Sequence, residues 1–290
     1  MGAAPLGEPD RVAFVLGGGG GPLGAHEVGM LRALLERGIV PQLVLGTSVG
    51  AINGAAICAE PSVVGVRRLG ELWAAIGRRD VFGGSVLRRA RTLARTRTHL
   101  HGNELLRARL SEALSVERIE DLQIAFQCVA ASIEGACEHW FTDGPLVDAI
   151  LASAAVPGIL PPVVIDGEHF IDGGIVNSIP VGRAVTLGAR RIFVLHVGRL
   201  DRPLQPPRWP WEVGLVAFEI ARRHRFLGDL AALPDGVELH VLPTGQRDPP
   251  RYNDLSQLRY RDTSNIGERI ARAHAASLSY LEERGLGTTG

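Results

Sequence analysis

The sequence predicts an α/β fold built on a largely parallel β-sheet. Three observations in the first 58 residues predict it. Arg11 to Leu16 is a short β-rich apolar run closed by glycines, the pattern of a buried strand. A helical stretch follows, with Val28, Leu31, Leu34 and Leu35 on one face and Arg32 and Glu36 outside it. A second apolar run, Gln42 to Leu45, leads into Gly46-Thr47-Ser48-Val49-Gly50 and then into the apolar stretch Ala51 to Ile57. Strand, glycine loop, helix, strand, sharp turn and helix make a βαβα opening, which parallel strands require.

The rest of the chain can be taken in order. Val63 to Ile76 has helical spacing. The stretch 78–101 is dense in arginine, with Arg88, Arg89, Arg91, Arg95 and Arg97 among apolar residues. It reads as a solvated helix or cap with charges outward, and a peripheral contact with an anionic lipid surface is the alternative. Asn103 to Leu114 is helical, with Leu105, Leu106, Leu110 and Leu114 in phase. Gln123 to Ile133 and Glu138 to Thr142 read as paired strands, and Leu146 to Ala155 as a helix stopped by Pro157. Val163 to Ile165 and Glu168 to Ile171 flank Asp166-Gly167, the dipeptide suited to a type I′ hairpin turn. That hairpin delivers Asp172-Gly173-Gly174. A helix starts near Pro180, a strand runs from Arg191 to Val197, and 202–212 is a proline-rich linker or flap. Trp209 and Trp211 frame a helix through Ile220; Val237 to Leu242 is the last strand and Ser264 to Glu283 a closing helix. No repeat or boundary divides the chain, so 11–290 reads as one domain after a flexible N-terminus, 1–10.

Composition excludes several classes. All basic residues are arginine, which rules out a lysine Schiff base and a P-loop lysine. The formal net charge is zero, so no whole-chain field favours nucleic acid. Cys58, Cys128 and Cys137 form neither a C-x-x-C pair nor an even set, which argues against a zinc site or disulfide framework and for a reducing, cytoplasmic setting. Met1 to Asp10 lacks the basic-then-apolar order of a signal peptide, and no apolar run reaches membrane-spanning length.

Two glycine-rich motifs carry chemistry. G-x-S-x-G at Gly46, Ser48 and Gly50, between strand and helix, is a nucleophile elbow: the serine hydroxyl stands exposed on a tight turn at a helix N-terminus. The run before the first helix contains G-x-G-x-x-G at Gly19, Gly21 and Gly24. It matches a dinucleotide fingerprint, but that fingerprint expects an acidic residue ending the next strand, where Gly46-Thr47-Ser48 stands instead. The better reading is an oxyanion hole whose donors are the amides of Gly19, Gly20 and Gly21, since Pro22 has no N–H to give. Read locally, Asp172 before two glycines is also what a turn-capping carboxylate would be. A Ser-His-Asp triad with His196 or His240 is a further alternative, although the elbow follows only the second strand.

The glycine run, the elbow and Asp172-Gly173-Gly174 stand in the order that resembles the patatin-like phospholipase family, in its bacterial type. The resemblance extends to Leu31-Arg32-Ala33-Leu34 and to Ala152-Ser153-Ala154-Ala155-Val156-Pro157, and covers about residues 11 to 197. It implies a three-layer α/β/α sandwich with a mostly parallel central sheet. It also implies a Ser48–Asp172 dyad with Ser48 as nucleophile and Asp172 as base, a glycine-loop oxyanion hole, and lipid-ester hydrolysis without metal or cofactor. The chain departs from the family in one place: Leu23 stands where a basic residue is usual, which puts catalytic strength in question and leaves a weakened lipid-binding protein as another reading.

Overall fold

The computed structural model describes residues 11–19, 24–78, 92, 94–197, 203–246 and 265–287, apart from the side chains of 76–78 and 211. Residues 1–10, Gly20 to Leu23, most of the 78–101 cap including Arg88, Arg89 and Arg91, Arg202 at the start of the flap and Ser264 at the start of the closing helix lie outside the described residues.

The opening is β1 (Val12–Leu16), α1 (Gly24–Glu36), β2 (Leu43–Thr47), α2 (Val49–Ala59) and α3 (Val63–Arg78). Then come α4 (Glu104–Ala113), β3 (Ala125–Ser132), β4 (Cys137–Phe141), α5 (Leu146–Ser153), β5 (Val163–Ile165) and β6 (Glu168–Asp172). The chain continues with α6 (Gly174–Asn177), α7 (Val181–Thr186), β7 (Arg191–Leu195), α8 (Pro210–Ala231), β8 (Glu238–Val241) and α9 (Ile266–Glu283). The expected elements are present with ends moved by a few residues. Two differences are larger: α6 was not foreseen, and α8 runs eleven residues past Ile220 because Phe226 and Leu230 keep packing on the sheet-side core.

Strands β3, β2, β1, β7 and β8 run parallel, with β1 paired on both sides. Its two edges are thus paired and helices cover its two faces, which is why all five of its residues are buried and apolar. Alternate residues feed separate cores. Val12, Phe14 and Leu16 pack with α1, α2, α3, α5 and α9; Ala13 and Val15 pack with α7 and α8. This is the expected α/β/α sandwich.

Register positions the site. Thr47, the last residue of β2, lies opposite Val129 of β3; Asp172, the last residue of β6, lies opposite Ala130. Val129 and Ala130 also pair with Trp140 and His139 of β4, which occupies the other edge of β3. So β2, parallel to β3, and β6, antiparallel to it, run toward each other along one edge, and their C-terminal ends meet. The β5–β6 turn has the backbone that the Asp-Gly dipeptide predicts, with φ 51° at Asp166 and 86° at Gly167.

Candidate active site

Ser48 leaves β2 and caps α2 with φ 56° and ψ −119°, an uncommon backbone state for a residue with a side chain. Its neighbours must be glycine for steric reasons. A Cβ on Gly46 would lie 2.6 Å from Cα of Ala51, and one on Gly50 would lie 2.3 Å from the carbonyl oxygen of Leu16. The turn therefore folds hard onto the ends of two strands and holds its serine away from them.

Ser48 Oγ donates a 2.6 Å hydrogen bond to Oδ2 of Asp172, 124 residues away in the chain. Both residues are buried, at 6% and 5% exposure. The other carboxylate oxygen, Oδ1, accepts the Gly174 N–H at 2.7 Å. Burial raises the Asp172 pKa from 3.8 to about 6; the bonds from Ser48 and Gly174 act against the rise without cancelling it. Asp172 is thus aimed at the hydroxyl rather than serving merely as a turn cap. Gly173 lies against the sheet, where a Cβ would come 2.1 Å from the Val129 carbonyl.

Ser153, at the end of α5, ties the two side chains' backbones together. Its Oγ accepts the Ser48 N–H at 2.9 Å, and its carbonyl accepts the Gly173 N–H at 3.1 Å. Two residues on, the Ala155 carbonyl accepts the Asp172 N–H at 3.0 Å. Thr47 Oγ1 donates to the Asn177 carbonyl at 2.9 Å, joining β2 to α6. Ser153 lies inside the Ala152–Pro157 stretch that carries the family resemblance, but nothing local in the sequence assigns it a role.

The glycine loop is only partly within the described residues. Gly17 and Gly18 spend their N–H groups on Leu195 and Ser178 carbonyls, both at 2.8 Å. Gly19 packs so closely that a Cβ would reach 2.1 Å from Val197 Cγ2. Gly20 and Gly21, read as further oxyanion donors, and Leu23 lie outside the described residues. Gly24 opens α1 under the Trp73 ring. Behind it, Asn53 donates to the Gly24 carbonyl and to Glu27 Oε2, and Trp73 Nε1 donates to Asn53 Oδ1. Burial holds the Glu27 carboxyl well above its usual range.

Neither histidine of the triad alternative bonds Ser48. His196 is buried with Nε2 at 3.0 Å from the Arg222 guanidinium, and burial depresses its pKa. His240 stacks on Phe193. No group of three or more His, Cys, Asp or Glu suited to a metal occurs among the described residues.

Fold and site together define an α/β protein with a serine elbow facing a buried carboxylate. The Patatin family model, described as patatin-like phospholipase, matches residues 14–185. The chain belongs to that family. It is 32% identical over 194 residues to patatin-like phospholipase domain-containing protein 7 of Rattus norvegicus. It is 34% identical over 194 residues to lysophospholipase NTE1 of Mycosarcoma maydis. Each match covers 66% of this chain but only 14% and 10% of those proteins. These relatives are mammalian and fungal, so they support the family and not the bacterial type expected from the sequence. Among solved structures, human GIVD cytosolic phospholipase A2, in complex with a fluorophosphonate inhibitor, superposes with a TM-score of 0.52 at 12% identity, covering 95% of this chain and 58% of that one. That likeness is one of fold.

Proposed function

We propose that the chain is a serine acyl hydrolase acting on lipid esters through Ser48 and Asp172. The observation that carries this reading is the 2.6 Å bond between a strained elbow serine and a buried carboxylate. Ser48 Oγ attacks the ester carbonyl as its proton passes to Asp172. The tetrahedral oxyanion collapses, the ester C–O bond breaks, and Asp172 returns the proton to the departing alkoxide. Water then attacks the acyl-serine, giving its proton to Asp172, and the acid leaves as Ser48 regains a proton. A carboxylate with a pKa of about 6 is a better base than an ordinary aspartate and is still ionised near neutrality.

Oxyanion donors come from Gly19 to Gly21, since the amides of Gly17, Gly18 and Ser48 are already engaged. The α2 N-terminus adds its dipole, and its first amides, on Val49 and Gly50, have no carbonyl within the helix to bond. Family membership and the named lysophospholipase relative support a lipid ester as substrate. We place residues 11–290 in one acyl-hydrolase domain, with 78–101 as cap and 202–212 as flap. Its setting is reducing and cytoplasmic, in keeping with three free cysteines, and its membrane contact peripheral.

The test is covalent labelling by a fluorophosphonate, read by mass spectrometry, beside hydrolysis of a lipid-ester panel. Label on Ser48, and loss of both label and hydrolysis in Ser48→Ala with unchanged circular dichroism, are expected. Hydrolysis that survives Ser48→Ala refutes the assignment.

A further inference from the structure

The glycine run Gly17 to Gly21 has no side chains with which to fix its own path, and glycine backbone is the least restrained of any. An oxyanion donor acts only if it stands in place before the charge develops. The run therefore depends on its neighbours. At its entry the Gly17 and Gly18 amides bond the Leu195 and Ser178 carbonyls, and Gly19 lies against Val197. At its exit, Gly24 is held by side chains from two other helices. Asn53 Nδ2 on α2 donates to the Gly24 carbonyl at 3.0 Å and to Glu27 Oε2 on α1 at 2.8 Å. Trp73 Nε1 on α3 donates to Asn53 Oδ1 at 2.7 Å, and its ring covers Gly24 so closely that a Cβ there would come within 2.5 Å of it. An indole N–H can only donate, so it turns the amide oxygen of Asn53 toward α3 and leaves both amide hydrogens for α1.

We propose that Asn53 is a positioning residue for the reaction, a latch that sets the exit of the glycine loop against Ser48. Asn53 lies five residues after Ser48, about 8 Å along the same helix, so one rigid element holds both the nucleophile and the latch. The network is also a poor choice for stability alone. Asn53 and Glu27 are wholly buried, yet Glu27 Oε1 has no hydrogen-bond partner among the described residues. Apolar side chains would fill the same space at less cost, so packing does not explain why polar groups stand here. The bond they maintain does explain it, because it runs from the helix of the nucleophile to the carbonyl at the end of the loop. This role rests on the acyl-hydrolase reading of Ser48 and the loop.

The experiment uses the full chain and the variants Asn53→Ala and Trp73→Phe. Trp73→Phe keeps an aromatic ring over Gly24 and removes only the N–H, so it decides the matter if Asn53→Ala fails to fold. Endpoint labelling by a fluorophosphonate counts competent Ser48, and steady-state kinetics on a soluble ester are scaled to that count. The probe of the loop is a soluble alkyl trifluoromethyl ketone. Ser48 Oγ adds to its carbonyl carbon, the serine proton passes to Asp172, and the carbonyl π pair becomes an alkoxide that needs the loop's donors. In Asn53→Ala, kcat should fall by about ten- to a hundredfold per labelled site with KM within about twofold, and the Ki of the ketone should rise by a similar factor. Trp73→Phe should move kcat and Ki in the same directions by about three- to tenfold. A merely structural loss lowers the number of labelled sites and leaves Ki per site unchanged, and that result overturns the proposal. So do variants that keep kcat and Ki within about twofold of the parent. A parent chain that takes no label on Ser48 instead refutes the acyl-hydrolase reading, and the latch with it.

Discussion

Asp172 should make the protein less stable as the pH rises through the range where its carboxylate form appears. The perturbation is Asp172→Asn, which keeps the shape and removes the ionisation. In the folded chain the carboxyl titrates at about 6, against 3.8 for an ordinary aspartate. Between those values the folded state holds a proton that the unfolded state has lost. Stability from this group is thus fully present below pH 3.8 and is lost as pH rises through about 6. A difference of that size is worth about 3 kcal/mol. Urea unfolding of parent and variant across about pH 3.5 to 8 measures it, and taking the difference between the two chains cancels the other titrating groups. The variant should gain on the parent by about 3 kcal/mol across that window while losing ester hydrolysis. In the parent, kcat/KM should fall tenfold per pH unit below about 6, because that ratio reports the base of the free enzyme. A stability difference that stays flat with pH, or an acid limb near 4, would refute the account of Asp172 as a buried, poised base.

Three further outcomes can be checked. Ser153→Ala removes the acceptor of the Ser48 N–H, so a buried donor is left unpaired; stability should fall by about 1–3 kcal/mol and kcat by about ten- to a hundredfold with KM little changed, as steady-state kinetics on a soluble ester will show. Glu27→Gln keeps an oxygen for Asn53 and abolishes a carboxyl whose pKa is raised by burial, so stability relative to the parent should rise with increasing pH above the ordinary glutamate range, measured by thermal melts. Substituting His240 by Gln, or His196 by Gln, should leave fluorophosphonate labelling of Ser48 intact, even though the His196 variant melts lower because Arg222 loses a partner. Loss of labelling in either chain would restore the triad.

What the sequence made legible follows from how local each constraint is. β1 and β2 could be read because a strand covered on both faces must be apolar throughout, and the elbow because Gly46 meets the backbone of Ala51 within its own strand–turn–helix unit, while Gly50 answers to Leu16 at the end of β1. The type I′ turn was legible in two residues for the same reason. Asp172 was locally ambiguous, since its pairing with Ser48 depends on β2 and β6 meeting along β3, a register that no short stretch encodes. Ser153 was hidden more deeply: its hydroxyl matters only because α5 ends where those two strands converge. Helix α8 misleads for a different reason. An apolar stripe at helical spacing ordinarily marks the buried side, and a charged one the wet side. Here the partners that hold charge inward are remote: the Gly182 amide on α7 donates to Asp229, and His196 after β7 accepts from the Arg222 guanidinium. Phe226 and Leu230 pack inward beside those charges, and Val213, Ile220 and Leu227 are left on the exposed side.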